Sequence, residues 1–281
     1  MLNKKVKNIG TQCFLNIFFI ICCIFALIPI AYTFSVSINA EGSLLSSEFS
    51  FLPKRLTLGN YNKVFTKEPL LLWFGNTMLL VAATVTLSLT IAIPASYVFS
   101  RWSFPGRKAI LKTLLLLYSF PSILSMFAVY KLMSTLGLLN THIGLIIIYT
   151  GTMSVFALWN MKGYFDTIPK DIEEAAKIDG ATDTQIVFKI VMPLARPSII
   201  VTATMVLNFV WNEYIFSINF LTGSENMTLA SGLYGLQATE LSGSWPVFAS
   251  GSIIVSVPVL IIFFLSQKYM TSGLTAGGVK E

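Results

Sequence analysis

Six apolar runs, each long enough to cross a bilayer as a helix, leave this chain little freedom of fold. They extend over residues 13–36, 74–99, 109–133, 143–161, 198–221 and 247–264. About 20 mostly apolar residues span a membrane as an α-helix, which satisfies every backbone donor and acceptor internally in lipid. Lys4, Lys5 and Lys7 precede the first run as they would in a secretory signal. The apolar core of a signal is only about 7–15 residues long, so the first run reads as an uncleaved helix with its N-terminus in the cytoplasm. Composition agrees: 54% of residues are hydrophobic and 11% charged, where a soluble chain carries about 25% charged. The expected fold is all-α and polytopic, with six transmembrane helices and both termini cytoplasmic.

Charge sets the orientation. With the N-terminus inside, fourteen of the 19 Lys and Arg residues fall in or beside cytoplasmic segments. Only Lys54, Arg55, Lys63, Lys67 and Lys131 fall outside. Cytoplasmic loops concentrate basic residues, so the net charge of +6 needs no nucleic-acid partner. His142 is the sole histidine. It excludes His-based catalytic pairs within the chain, and its short polar turn suggests a solvated side chain. Cys13, Cys22 and Cys23 lie along the first run without metal-ligand spacing and read as small hydrophobes. No catalytic or metal-ligating set stands out, and no P-loop pattern occurs. Any ATP that drives this protein is therefore expected on another chain.

The chain divides into a cytoplasmic N-terminus (1–12), a first span with its outer loop (13–72), a transmembrane domain (73–269) and a cytoplasmic tail (270–281). The outer loop is expected to carry short helices near the interface. Pro94, the Ser119–Pro121 stretch and Pro258 interrupt spans, where a proline frees a carbonyl and marks a bend or cavity wall.

The fourth and fifth runs flank a polar stretch, Thr167–Pro197. Two short helices can be read in it. Thr167 suits an N-cap and Pro169 a first turn, with acidic residues close behind. Gly180 supplies a left-handed stop. Thr182 and Gln185 form a capping box for the second helix, which Pro193 is expected to end. Ala176, Gly180 and Ile186 also match the core spacing of a DNA-reading helix–turn–helix, but the acidic first helix would repel phosphates.

The pattern Glu174-Ala175-Ala176, three residues, Gly180, nine residues, Ile190 to Pro193 resembles the EAA loop of ATP-binding-cassette importer permeases, although Met192 stands where the family usually has Leu. That resemblance implies a cytoplasmic coupling helix docking on an ATPase, with Glu174, Ala175, Ala176, Gly180, Ile190 and Pro193 as its site. Small side chains at Ala175 and Ala176 would let a partner surface approach closely.

In the fifth run, Asn208, Asn212 and Asn219 fall within about 40° of one another on an ideal helix. Three amides on one face of a span imply a polar or wet surface. With Trp211 and neighbouring aromatics they suit an uncharged sugar, and equally suit hydrogen bonding between helices. Glu213 points about 100° away and reads as half of a structural pair, with Lys131 one candidate partner.

FGNTMLLVAATVTLSLTIAIPASYVFSRWSFPGRK, LGLLNTHIGLIIIY, WNEY and GLTAGGVK extend the resemblance over about residues 73–281, to the carbohydrate-importer permeases and within them the MalG-like subunits of maltose and maltodextrin systems. It implies an assembly in the bacterial inner membrane, among lipid, with a homologous second permease, two ATPase subunits holding ATP and Mg, and an extracytoplasmic sugar-binding protein. No cofactor would be bound by this chain. Gly273, Leu274, Thr275, Ala276, Gly277 and Gly278 would reach between the ATPases. An ion-gradient transporter is a second reading, for which only Glu213 argues. A membrane enzyme would need a convergent set of His, Asp or Glu residues.

Overall fold

A computed structural model describes residues 2–40, 53, 55–238 and 245–278. Helices dominate, and the described residues contain one isolated bridge, Asn39 to Leu56. The chain forms two compact units, residues 1–68 with 233–256 and residues 69–232 with 257–281.

In the first unit, α1 (Leu2–Ser37) carries the expected first span as Thr11–Ser37, with none of its apolar window buried. Its cysteines are exposed, as small hydrophobes on such a face would be. The outer loop contributes α2 (Gly59–Lys67); residues 41–52 and 54 lie outside the described residues. A polar knot closes the end of α1. Asn60 Nδ2 donates to the Ser37 and Asn39 carbonyls at 3.0 and 2.8 Å, and Ser250 Oγ donates to Ser37 O at 3.1 Å. These bonds satisfy carbonyls that the helix end leaves open.

The second unit is built on α3 (Leu70–Arg101), α6 (His142–Phe165) and α10 (Arg196–Asn212). Thr77, Thr84, Ser88, Ala92 and Ser96 recur at intervals of seven or four residues along α3, all fully buried. Small residues at this spacing let membrane helices approach closely. α3 packs along α6, whose Leu145, Tyr149, Met153, Ala157 and Met161 are also buried, with Ala92 and Ala157 in one core cluster.

Two expected spans are bent. The third consists of α4 (Arg107–Ser119) and α5 (Ser122–Thr135), whose axes differ by 93°. Phe120 is extended, as the residue before a proline should be. The fifth expected span, read as continuous over 198–221, breaks after Asn212; Glu213 is extended and α11 (Ile215–Phe220) begins again beyond it. Among the described residues, four helices are long and apolar enough to cross a membrane, and up to six spans result if the pairs Arg107–Ser119 with Ser122–Thr135 and Asp183–Leu194 with Arg196–Asn212 each count as one.

α12 (Leu229–Ala238) leads to α13 (Trp245–Gly278). The helical backbone of α13 continues through 273–278, where a glycine-rich tail was expected; residues 279–281 lie outside the described residues.

Candidate functional site

Between α6 and α10 the polar stretch folds as α7 (Lys170–Ile178), a turn at Gly180, α8 (Asp183–Gln185), a π-helical turn over Ile186–Val191 and α9 (Met192–Leu194). Gly180 has φ +84° and nothing within 4 Å of where a Cβ would stand, so its need for glycine is conformational rather than steric. The capping box is formed: Thr182 Oγ1 accepts from Gln185 N, and Gln185 Oε1 accepts from Thr182 N. The Lys177–Asp183 pair at 3.3 Å bridges the turn.

Three local expectations change. Pro169, not Thr167, occupies the N-cap of α7, while the Thr167 hydroxyl donates to Tyr164 O. Pro193 does not end the second helix. It lacks an N–H and its ring crowds the carbonyl four residues back, and just before it the ladder widens, with Met192 N donating to Val187 O. The chain bends by 74° only at Ala195. Finally, Ala176 faces inward. It lies in a core with Tyr97, Phe165, Ile168, Ile186 and Val191, so only Ala175 of the two alanines is outward.

Glu173, the neighbour of Glu174, anchors this knob. Its Oε1 accepts from Arg101 Nε at 2.6 Å and its Oε2 from Tyr97 Oη at 2.8 Å. Both charged side chains are under one-tenth exposed. Arg101 also donates to Ile168 O and Ser100 Oγ. Arg101 is the last residue of α3 and Glu173 lies in the first turn of α7, so each charge complements its own helix dipole. Beside them, Asp166 accepts from Ser100 Oγ and Lys162 Nζ, each at 2.6 Å. Burial pushes its carboxyl up, but these hydrogen bonds and the charges of Lys162 and Arg107 outweigh that and hold it below the usual carboxylate range. The outward side carries Glu174 and exposed apolar groups: Ile172, Phe188, Leu194 and Ile178, the last 87% exposed. Ile190 packs partly against the core, and Pro193 is exposed.

The second region is the break after Asn212. Glu213 Oε1 accepts from Phe216 N at 2.8 Å and its Oε2 from Ser217 N at 3.3 Å, which caps α11. Tyr149 Oη of α6 donates to the same carboxylate. Tyr149, not Lys131, is therefore the partner the structure gives Glu213. Asn208 and Asn212 remain on α10, but the break removes Asn219 from their helical register. The amides of Asn212 and Asn219 bond to Asn208 O and Ile215 O within their own segments. Trp211 is buried with its ring edge-on to Phe74. Asn212, Glu213 and Tyr214 line a cavity of about 300 Å³ with Ser122 and Ile123. Both helix breaks thus border one space.

His142 is not simply solvated. It starts α6, and its Nε2 lies 3.0 Å from Asn226 O. Asn140, at φ 57°, accepts from Thr222 N and Asn226 Nδ2. Trp73 Nε1 donates to Ser224 O, and Asn76 Nδ2 to Glu225 O and Met227 O. The segment after α11 is therefore pinned to the ends of α3 and α6.

Residues 88–275 match the family described as binding-protein-dependent transport system inner membrane component. The chain belongs to that family. As such an inner-membrane component it is 38% identical over 255 residues to the galactooligosaccharides transport system permease protein GanQ of Bacillus subtilis (strain 168), covering 90% of this chain and 89% of that one. It is 34% identical over 277 residues to the maltodextrin transport system permease protein MdxG of the same organism, covering 99% and 98%. A solved bacterial ABC transporter involved in the import of the acidic polysaccharide alginate contains a chain of the same fold, at TM-score 0.75 and 28% identity, covering 92% of this chain and 96% of that one.

This inner-membrane component places its sequence-derived residues in separate regions. Glu174, Ala175 and Gly180 sit on the outer side of the knob, and Asn208, Asn212 and Glu213 at the broken span. Gly273 to Gly278 continue α13. Arg101, Tyr97 and Tyr149 were not singled out from sequence. Each meets its acid more than 60 residues away, and no local pattern marks such a pair.

Proposed function

We propose that this chain is a permease subunit of an ATP-driven importer of carbohydrate, coupled to a separate ATPase through α7–α9. The observation that carries the coupling is the knob itself. Its inner side is locked to α3 by Arg101–Glu173, and its outer side presents Ile172, Ile178 and Phe188. An apolar surface rimmed by charge is the kind that a protein partner covers. Displacement of the knob would pass to α3 through the ion pair and to α10 through the bend at Ala195.

The names of the relatives support a sugar as cargo, and an oligosaccharide such as maltose or maltodextrin as its class; the galactooligosaccharide relative favours the same permease type with another sugar. The complete importer then holds a homologous second permease, two ATPase subunits with ATP and Mg, and an extracytoplasmic sugar-binding protein. On this reading the chain has six spans, with both termini and the knob in the cytoplasm. The Gly273–Gly278 segment meets the ATPases, and Asn208 and Asn212 border the cargo path. Glu213 is spent on capping and on Tyr149, which favours a structural role over ion coupling. Uptake of labelled oligosaccharides into vesicles holding the full complex tests this reading. It predicts ATP-dependent, ion-gradient-independent uptake, reduced by Asn208→Leu and Asn212→Leu with assembly intact. Gradient-driven uptake without ATP overturns it.

A further inference from the structure

We infer that a basic cavity at the head of α4 holds the phosphate of an anionic phospholipid. The cavity encloses about 680 Å³ and is lined by Ser103, Phe104, Arg107, Lys108, Leu111 and Lys162. Three cations therefore converge on one space. The carboxylate beside them is Asp166, already bound to Lys162 at 2.6 Å, so positive charge is in excess. Arg107 supplies the planar fork that suits phosphate. Gly106, in the N-cap position of α4, has no side chain to cap the first turn, where Arg107 N already donates to Phe104 O, and the dipole there adds positive potential.

Position and apolar lining favour a lipid over a free anion. The cavity sits where two long apolar helices end, at Arg101 of α3 and Phe165 of α6, which is headgroup depth. Trp102, 55% exposed, lies at the same level, as interfacial tryptophans do. Phe104 and Leu111 supply apolar walls beside the charges. Beyond them α4 exposes Ile110, Leu115, Leu116 and Leu117 along the direction an acyl chain would take. Basic pockets between membrane helices at this depth bind anionic headgroups, and each Lys or Arg near the surface is worth about five-fold in affinity.

The test uses the full chain purified in a neutral detergent, with thermal stabilisation by added dioleoylphosphatidylglycerol, dioleoylphosphatidylcholine or inorganic phosphate. The expected result is saturable stabilisation by phosphatidylglycerol alone. Lys108→Gln, at an exposed position that the fold does not need, should weaken it about five-fold, and Arg107→Gln with Lys108→Gln on the order of 25-fold. Lys112→Gln, one turn along α4 and outside the cavity, should change it less than two-fold. Equal stabilisation by phosphatidylcholine, equal stabilisation by millimolar phosphate, or an unaltered response in Lys108→Gln would each overturn the proposal.

Discussion

Replacing Arg101 with Met asks directly whether the knob is locked to α3. The guanidinium supplies the 2.6 Å bond to Glu173 and the 3.0 Å bond to Ile168 O. Met fills similar volume and supplies neither. Glu173, with a side chain only 9% exposed, would lose its cation and be left with Tyr97 as its remaining donor. Removing one partner of a buried ion pair costs about 3–5 kcal/mol, a large share of a typical stability of about 5–15 kcal/mol. At about 2–4 °C per kcal/mol, thermal unfolding should drop on the order of 10 °C. Arg101→Met combined with Glu173→Gln should recover most of that loss, because the neutral amide no longer leaves a charge unpaired and still accepts from Tyr97. Tryptophan fluorescence of the purified chain during heating measures the stability, and limited proteolysis within residues 166–183 reports the knob. A single variant within about 2 °C of the parent, or a double variant as unstable as the single, would refute the reasoning.

Three further outcomes follow from separate features. Gly180→Ala should cost about 1–2 kcal/mol, since φ +84° penalises a Cβ even in open space; Gly180→Pro cannot adopt that φ and should abolish coupled uptake, so normal uptake with normal assembly would remove the turn from the mechanism. Asp166 is held below the usual carboxylate range, so its stabilising contribution is present above about pH 4 and is lost as pH falls through its lowered value; thermal scans should show the parent and Asp166→Asn converging as pH is lowered from 6 to 3, and a constant gap would count against the cluster. Deleting residues 274–281 removes no candidate span, and should leave insertion normal while weakening ATPase association; unchanged ATPase content and unchanged stimulation by loaded binding protein would show that the tail makes no such contact.

Local chemistry was legible in the sequence wherever it was carried by neighbours. Gly180 and the Thr182–Gln185 box are complete within a few residues, and both stand as expected. The apolar runs located α1, α3, α6 and α13 because hydrophobic length is a local property. The amide stripe failed for an equally local reason. A 100° period was carried through Trp211–Tyr214, where Glu213 ends one helix and caps the next by accepting from Phe216 N and Ser217 N. An acid three residues before a helical N–H was the available sign. Ala176 was misjudged because smallness does not tell which side of a helix faces the core. Burial of Ala176 follows from Ile186 and Val191 folding back beneath it. Arg101–Glu173 joins residues 72 apart, and composition and periodicity are blind to such pairings.

The central claim, that the outer side of the knob is the ATPase docking surface, is tested most directly by site-specific cross-linking. Cys13, Cys22 and Cys23 are first replaced by Ala. Cysteine is then placed at Ile178, 87% exposed, or at Ala176, 7% exposed and facing the core. In the assembled transporter a short thiol cross-linker should join Ile178→Cys to an ATPase subunit, while Ala176→Cys should give no product. Absence of an Ile178→Cys adduct in a complex that retains its ATPase, or equal yields from both positions, would contradict docking on this surface.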